Sequence, residues 1–242
     1  MHRSIFVSLL AIAAPVFAVD DVAAILGKAQ SAWLRGAENE LSQLAAANVA
    51  TPTAESAYAN AFIQFRLLQS AVARKNEAAT TKAGEACIAS AGKSAEMTKT
   101  GALAAEARAI QSSCYGYLAG MGGTFAAIRN GRASGKSMER ALALDARNAR
   151  VILVDAFGLY FRPRIAGGDK VKACARFRES AAAFDRPAPQ TPGNWGAAEA
   201  RFWVGRCLLD AGDATSARRE FEAALKLAPE FAAAQRALRP KS

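Results

Sequence analysis

The stretch GDATSARREFEAALKLAPEF, residues 212–231, decides how the whole chain is read. Gly212 and Asp213 make a turn, Ala217, Phe221 and Ala224 follow at steps of four and three residues, and Pro229 stops the run. Such steps put the three side chains on one stripe of a helix. Just upstream, a helix starting near Ala198 carries Gly205 and Leu208. Small, large and small residues on one stripe let two antiparallel helices approach closely, with the ring filling the groove between them.

Outward from this hairpin the composition stays helical. Alanine dominates, β-branched residues are sparse, and no segment alternates apolar and polar residues long enough for a strand. Glycine and proline place breaks at Thr51-Pro52, over residues 92–101 and 131–135, at RPRIAGGD (162–169) and at DRPAPQTPGN (185–194). The segments 56–72 and 77–94 read as another helical pair, and 20–46 as one amphipathic first helix carrying Trp33 and Leu34.

The 198–231 hairpin resembles the tetratricopeptide repeat, a helix-turn-helix unit of about 34 residues, at nearly every signature position except the first aromatic, where Arg201 stands. Set on Gly122, the same template gives Phe125, Ser134, Met138, Ala141 and Ala146; a copy between them uses Phe157, Phe161, Ala173, Phe177 and Ser180, with insertions in both its loops. The resemblance implies an all-α fold, a right-handed superhelical stack of antiparallel helix pairs (a TPR-like α-solenoid). Repeats are then expected at about 115–148, 149–185 and 198–231, followed by a C-terminal cap, all within 113–242. Residues 19–112 are expected to hold a degenerate pair and an N-terminal cap. The order of elements and the insertion ahead of Gly167-Gly168-Asp169 look like those of exported bacterial repeat proteins.

Residues 1–18 read as a signal peptide: His2 and Arg3 lead into an apolar run that closes on Val16-Phe17-Ala18. Export predicts a periplasmic or secreted chain with no membrane span after cleavage. In that setting the four cysteines are read as disulfides before metal ligands. Cys174 lies eleven residues before Asp185, and Cys207 eleven after Gly196, so both stand at equal height above one loop. Cys87 and Cys114 are symmetric about Thr100-Gly101 in the same way. The pairs Cys87–Cys114 and Cys174–Cys207 are therefore expected, with free buried thiols as the alternative.

The chemistry is mostly exclusion. The single histidine, His2, leaves with the leader, so metal sites and triads built on imidazole are not expected. NGRASGKS (130–137) lacks one residue of the phosphate-loop spacing and follows no strand. Asp155 is the one acid on the apolar stripe RVILVDAFGLYF, where a partnered carboxylate is the simpler reading. The expectation is a protein that is not an enzyme and carries no catalytic residue, cofactor or metal.

In such repeats the first helices line a concave face. Projection of the template puts Arg150, Leu153, Phe157 and Tyr160 there from the middle copy and Glu199, Phe202 and Arg206 from the last, rings for apolar contact and guanidiniums for carboxylates. A scaffold or adaptor binding a protein or peptide partner in this groove is the leading expectation. A second draws on the net charge of +10 and on residues 129–186, with thirteen Lys/Arg against six Asp/Glu: a basic module docking on anionic envelope surfaces. Accessory action on a cell-wall glycan is the weakest. Nucleic acid is not an expected partner, because the aromatics do not interleave with the basic cluster.

Overall fold

A computed structural model describes residues 19–47, 53–186 and 191–239; the expected leader and the Thr51-Pro52 break lie outside the described residues. Those residues form eleven α-helices and one 3-10 turn, with no strand among them. In order they are α1 (Val19–Arg35), α2 (Glu38–Ala47), α3 (Ala54–Ala73), α4 (Glu77–Thr98), α5 (Gly101–Met121) and α6 (Thr124–Asp145). Then come α7 (Ala149–Phe161), the 3-10 turn (Arg164–Ala166), α8 (Lys170–Phe184), α9 (Ala197–Asp210), α10 (Ala214–Leu227) and α11 (Ala232–Leu238). Short polar side chains start many of them by accepting the first free backbone N–H groups. Thr53, Asn76, Asn148, Asp169 and Asp213 cap α3, α4, α7, α8 and α10 in this way.

Successive helices pack as pairs, α3 on α4, α5 on α6, α7 on α8 and α9 on α10. The opening stretch is explained in the last pair. Ala217, Phe221 and Ala224 are buried on α10, and a Cβ added to Gly205 of α9 would sit 2.6 Å from the Phe221 ring and 3.1 Å from the Ala217 carbonyl oxygen. Only a residue without a side chain lets the ring lie across α9. In the α5–α6 pair, two serines take that role. Ser112 donates to the Ser134 carbonyl at 2.8 Å, and Ser134 donates back to the Ser112 carbonyl at 2.9 Å. Both cysteine pairs close as expected: Cys87–Cys114 joins α4 to α5 and Cys174–Cys207 joins α8 to α9, with Cα separations of 6.3 and 5.7 Å.

Three glycine readings are corrected. Gly131 and Gly135 lie inside α6, and the turn falls instead at Gly122-Gly123, so the template register places Phe125 wrongly: it stands 91% exposed on the first turn of α6. An isolated helical glycine costs only about 1 kcal/mol, less than interrupting a helix that buries Ser134, Met138 and Ala141. The break expected over 92–101 falls at its far end, between Thr98 and Gly101; Gly92 itself lies inside α4, where a Cβ would meet Gln111 of α5 at 2.8 Å, so it permits close packing rather than ending a helix. Conversely, the single first helix expected over 20–46 is two helices, parted at Gly36 with φ of 75°.

α1 folds back against α3, and its Gln30 donates to Glu199 of α9 at 2.9 Å. Ser31 reaches Glu230 at 2.9 Å, beyond α10. The N-terminal helix thus bridges the first pair and the last.

Candidate functional site

Two groups of side chains stand out, one buried and one at the surface. The buried group holds the interior together. Arg66 of α3 donates to both carboxylate oxygens of Glu199, at 2.8 and 2.9 Å, and to Gln30, with its guanidinium stacked 4.0 Å from the Trp33 ring centroid. Burial lowers the pKa of Arg66, and Glu199 opposes that shift. Glu106 of α5 ties the 191–196 loop to α3 and α7: it accepts from Tyr58 at 2.6 Å, Arg150 at 2.9 Å, Asn148 at 3.0 Å and Thr191 at 2.7 Å. Trp195 donates to Tyr58 at 3.0 Å. Burial, followed by the Glu106 charge, pushes the Tyr58 hydroxyl well above the ordinary tyrosine range, so it stays a neutral donor.

The surface group is an aromatic ledge where α7, α8 and α9 meet. The last turn of α7 presents Phe157, Tyr160 and Phe161, α8 contributes Phe177, and α9 contributes Trp203. The Trp203 ring stacks on Phe177 at 5.5 Å and meets Phe157, Tyr160 and Phe161 edge-on at 5.6, 5.1 and 5.3 Å. Phe177 is fully buried; Phe157, Tyr160 and Trp203 are half-buried, and Phe161 stands 61% exposed. The cluster is thus anchored from below and open above. Its framework is rigid, since Cys174–Cys207 clamps α8 to α9 one turn from Phe177 and Trp203.

Charge surrounds the rings. Lys170 Nζ lies 5.1 Å from the Tyr160 ring centroid, a cation–π contact. Tyr160 donates its hydroxyl to Asp210 at 2.9 Å; partial burial and then that carboxylate raise its pKa, and the nearby Arg206 charge works the other way. The loop 162–169 folds tightly back on α7, Asp169 donating its backbone N–H to the Leu159 carbonyl at 2.9 Å and Gly168 its own to Pro163 at 3.0 Å. A Cβ on Gly168 would overlap the Arg162 carbonyl oxygen. Gly168→Ala is therefore expected to cost about 2 kcal/mol or more, read as a lower melting temperature by circular dichroism, because the loop must be rebuilt; an unchanged melt would refute the tight fold of that loop.

Of the residues projected onto a groove, Phe157 and Tyr160 lie together on the ledge, and the Arg206 charge acts on Tyr160. Phe202 lies toward the other side of α9, 5.5 Å from Phe221 and 5.1 Å from Phe231, and touches the ledge only through Trp203 at 5.8 Å. Arg150 belongs to the interior, 5% exposed and bonded to Glu106, the Trp195 carbonyl, Thr191 and the Gly193 carbonyl. Burial works against its charge, and Glu106 together with Tyr58 outweighs that cost, so its pKa is raised. Asp155 is ion-paired with Arg176 at 2.9 Å. Trp203 and Lys170 were not projected onto the site. The template assigns Phe202 to the inner face and passes over its neighbour, and the RPRIAGGD insertion hides the entry of α8 from any regular register.

No family model and no curated protein matches the chain. In fold it is similar to the HusA haemophore from Porphyromonas gingivalis, with a TM-score of 0.55 and 18% sequence identity over 79% of this chain and 91% of that one. At that identity the likeness is one of fold alone. Among the described residues no helix is long and apolar enough to cross a membrane.

Proposed function

We propose that the protein is a non-enzymatic binding protein acting in the periplasm or outside the cell, and that the aromatic ledge docks an apolar, carboxylate-bearing segment of a partner protein. The observation that carries this reading is Phe161, held 61% exposed at the head of a packed ring cluster whose Tyr160 feels the charges of Lys170 and Arg206. Rigid rings supply contact area at little entropic cost, and the cations select acids. Two disulfides favour an oxidising compartment. The internal use of the buried acids favours a non-catalytic role, since Glu106 and Glu199 each hold an arginine.

A second reading takes support from the fold shared with a haemophore: the same ledge stacks a porphyrin-sized planar ligand whose carboxylates meet the cations. Photo-crosslinking from position 161 in intact cells, run beside a titration with haemin, separates the two. A single dominant cross-linked polypeptide, lost in a Tyr160→Ala background, supports the leading reading; a saturable haemin spectrum lost in Phe161→Ser supports the second. Phe161→Ser is expected to weaken either ligand about tenfold or more. Neither signal would remove the ledge as the binding site.

A further inference from the structure

Nine large apolar side chains are exposed among the described residues, and their placement is uneven. Helices joined by short turns run antiparallel, so turns alternate between the two ends of the array. Glu106, near the start of α5, accepts from Asn148 and Arg150 at the start of α7, and Tyr160 at the end of α7 meets Asp210 at the end of α9. The α5–α6, α7–α8 and α9–α10 turns therefore share one end. Met121, Phe125 and Ile128 lie at the first of these turns, Phe161, Ile165 and Val171 at the second, and Leu209 at the third. Met97 and Leu227 alone lie elsewhere. Phe125 is 91%, Ile165 100% and Val171 82% exposed, so none of the described residues covers them.

The same end carries exposed cations, Arg129 beside Ile128, Arg164 beside Ile165 and Lys172 beside Val171. Its acids are already engaged. Asp169 and Asp213 accept the backbone N–H groups that start α8 and α10, and Asp210 accepts the Tyr160 hydroxyl. Separate apolar tips, each next to an exposed cation, of which Lys172 pairs at 3.8 Å with Asp169 while staying solvent-exposed, differ from the continuous apolar face that a protein partner buries. They suit a surface that is anionic at its face and apolar just beneath.

We propose that this turn edge docks on an anionic phospholipid bilayer, Phe125, Ile165 and Val171 entering the headgroup boundary while Arg129, Arg164 and Lys172 meet lipid phosphates. The inference goes beyond the ledge reading and does not need it, since Phe125 and Arg129 lie on α6, outside the ring cluster.

Sedimentation with vesicles of phosphatidylcholine, alone or mixed with phosphatidylglycerol, tests it on the mature full chain. Binding is expected to the mixed vesicles and not to the neutral ones, and to weaken as salt rises. Phe125→Ser/Ile165→Ser should reduce it about tenfold, and Arg129→Glu/Arg164→Glu/Lys172→Glu on the order of a hundredfold, both with unchanged melting temperatures because every substituted side chain is exposed. Equal binding to both vesicle types, or none to the mixed ones, would overturn the proposal. So would full binding by the serine variant, which would leave charge adsorption without a docking edge. Cross-linking from position 161 should persist in that variant, so failure of the ledge and failure of the edge are read separately.

Discussion

Glu199→Leu is expected to destabilise the protein by about 3–5 kcal/mol, because it leaves a buried charge without its partner. The reason lies in what remains. Arg66 is fully buried and Glu199 is 2% exposed, so the guanidinium would keep its place without the carboxylate that takes two of its hydrogen bonds. Gln30 would lose its acceptor as well, and Gly196 the carboxylate that accepts its backbone N–H at 3.2 Å. The stacked Trp33 ring helps the cation, yet a ring face does not replace an ion pair. The double variant Arg66→Met/Glu199→Gln removes both charges and should recover most of the loss, since an uncharged side chain of similar length fills the site. Urea unfolding of the wild type, Arg66→Met, Glu199→Gln and the double variant gives the coupling directly. A Glu199→Leu midpoint equal to wild type would show that the pair does not hold α1, α3 and α9 together.

Removing the Cys174–Cys207 bridge by Cys174→Ser/Cys207→Ser is expected to cost about 3–4 kcal/mol, by the loop-closure argument for a separation of 33 residues. A similar figure applies to Cys87–Cys114, whose separation is 27 residues. The two losses should differ in consequence. Cys87–Cys114 ties two helices that already pack along their length, with Gly84 letting Leu118 lie close. Cys174–Cys207 ties α8 to α9 beneath the ring cluster, so its loss should also loosen Trp203 and blue- or red-shift its fluorescence before global unfolding. Thermal melts with and without reductant, followed by far-ultraviolet dichroism and tryptophan emission, check both statements. Coincident transitions at the wild-type temperature would contradict them.

Much of this architecture was legible because its determinants are local. The Ala217, Phe221 and Ala224 stripe needs only helical periodicity, and the cysteine pairs need only equal distances from a turn. Residues that read as helix breakers were harder. Gly92 and Gly131 carry the same letter as Gly122, and what separates them is a neighbour: Gln111 packs against one, open space lies beside the next, and a second glycine follows the third. A helix tolerates one glycine at about 1 kcal/mol but loses its propensity where two adjoin.

The ledge was half visible. Phe157 and Tyr160 fall on a projected face, but Arg150 on that same face turns inward, because Glu106 arrives from a different pair and the 191–196 loop offers it carbonyl groups. Trp203 was passed over for Phe202, since the angular position of α9 depends on the disulfide and on Phe221 rather than on its own periodicity.

By itself, then, the amino-acid sequence determined helix, turn and partner helix, for these follow from spacings of a few residues and from the steric demands of glycine, alanine and proline. Tertiary structure alone decided where α1 sits, which arginines become interior, and which end of the array gathers its uncovered apolar side chains. Gln30 meets Glu199 across 169 residues of chain. No local preference encodes such a meeting, which exists only because burying α1 against α3 and α9 satisfies the Arg66 charge and removes apolar surface from water at once.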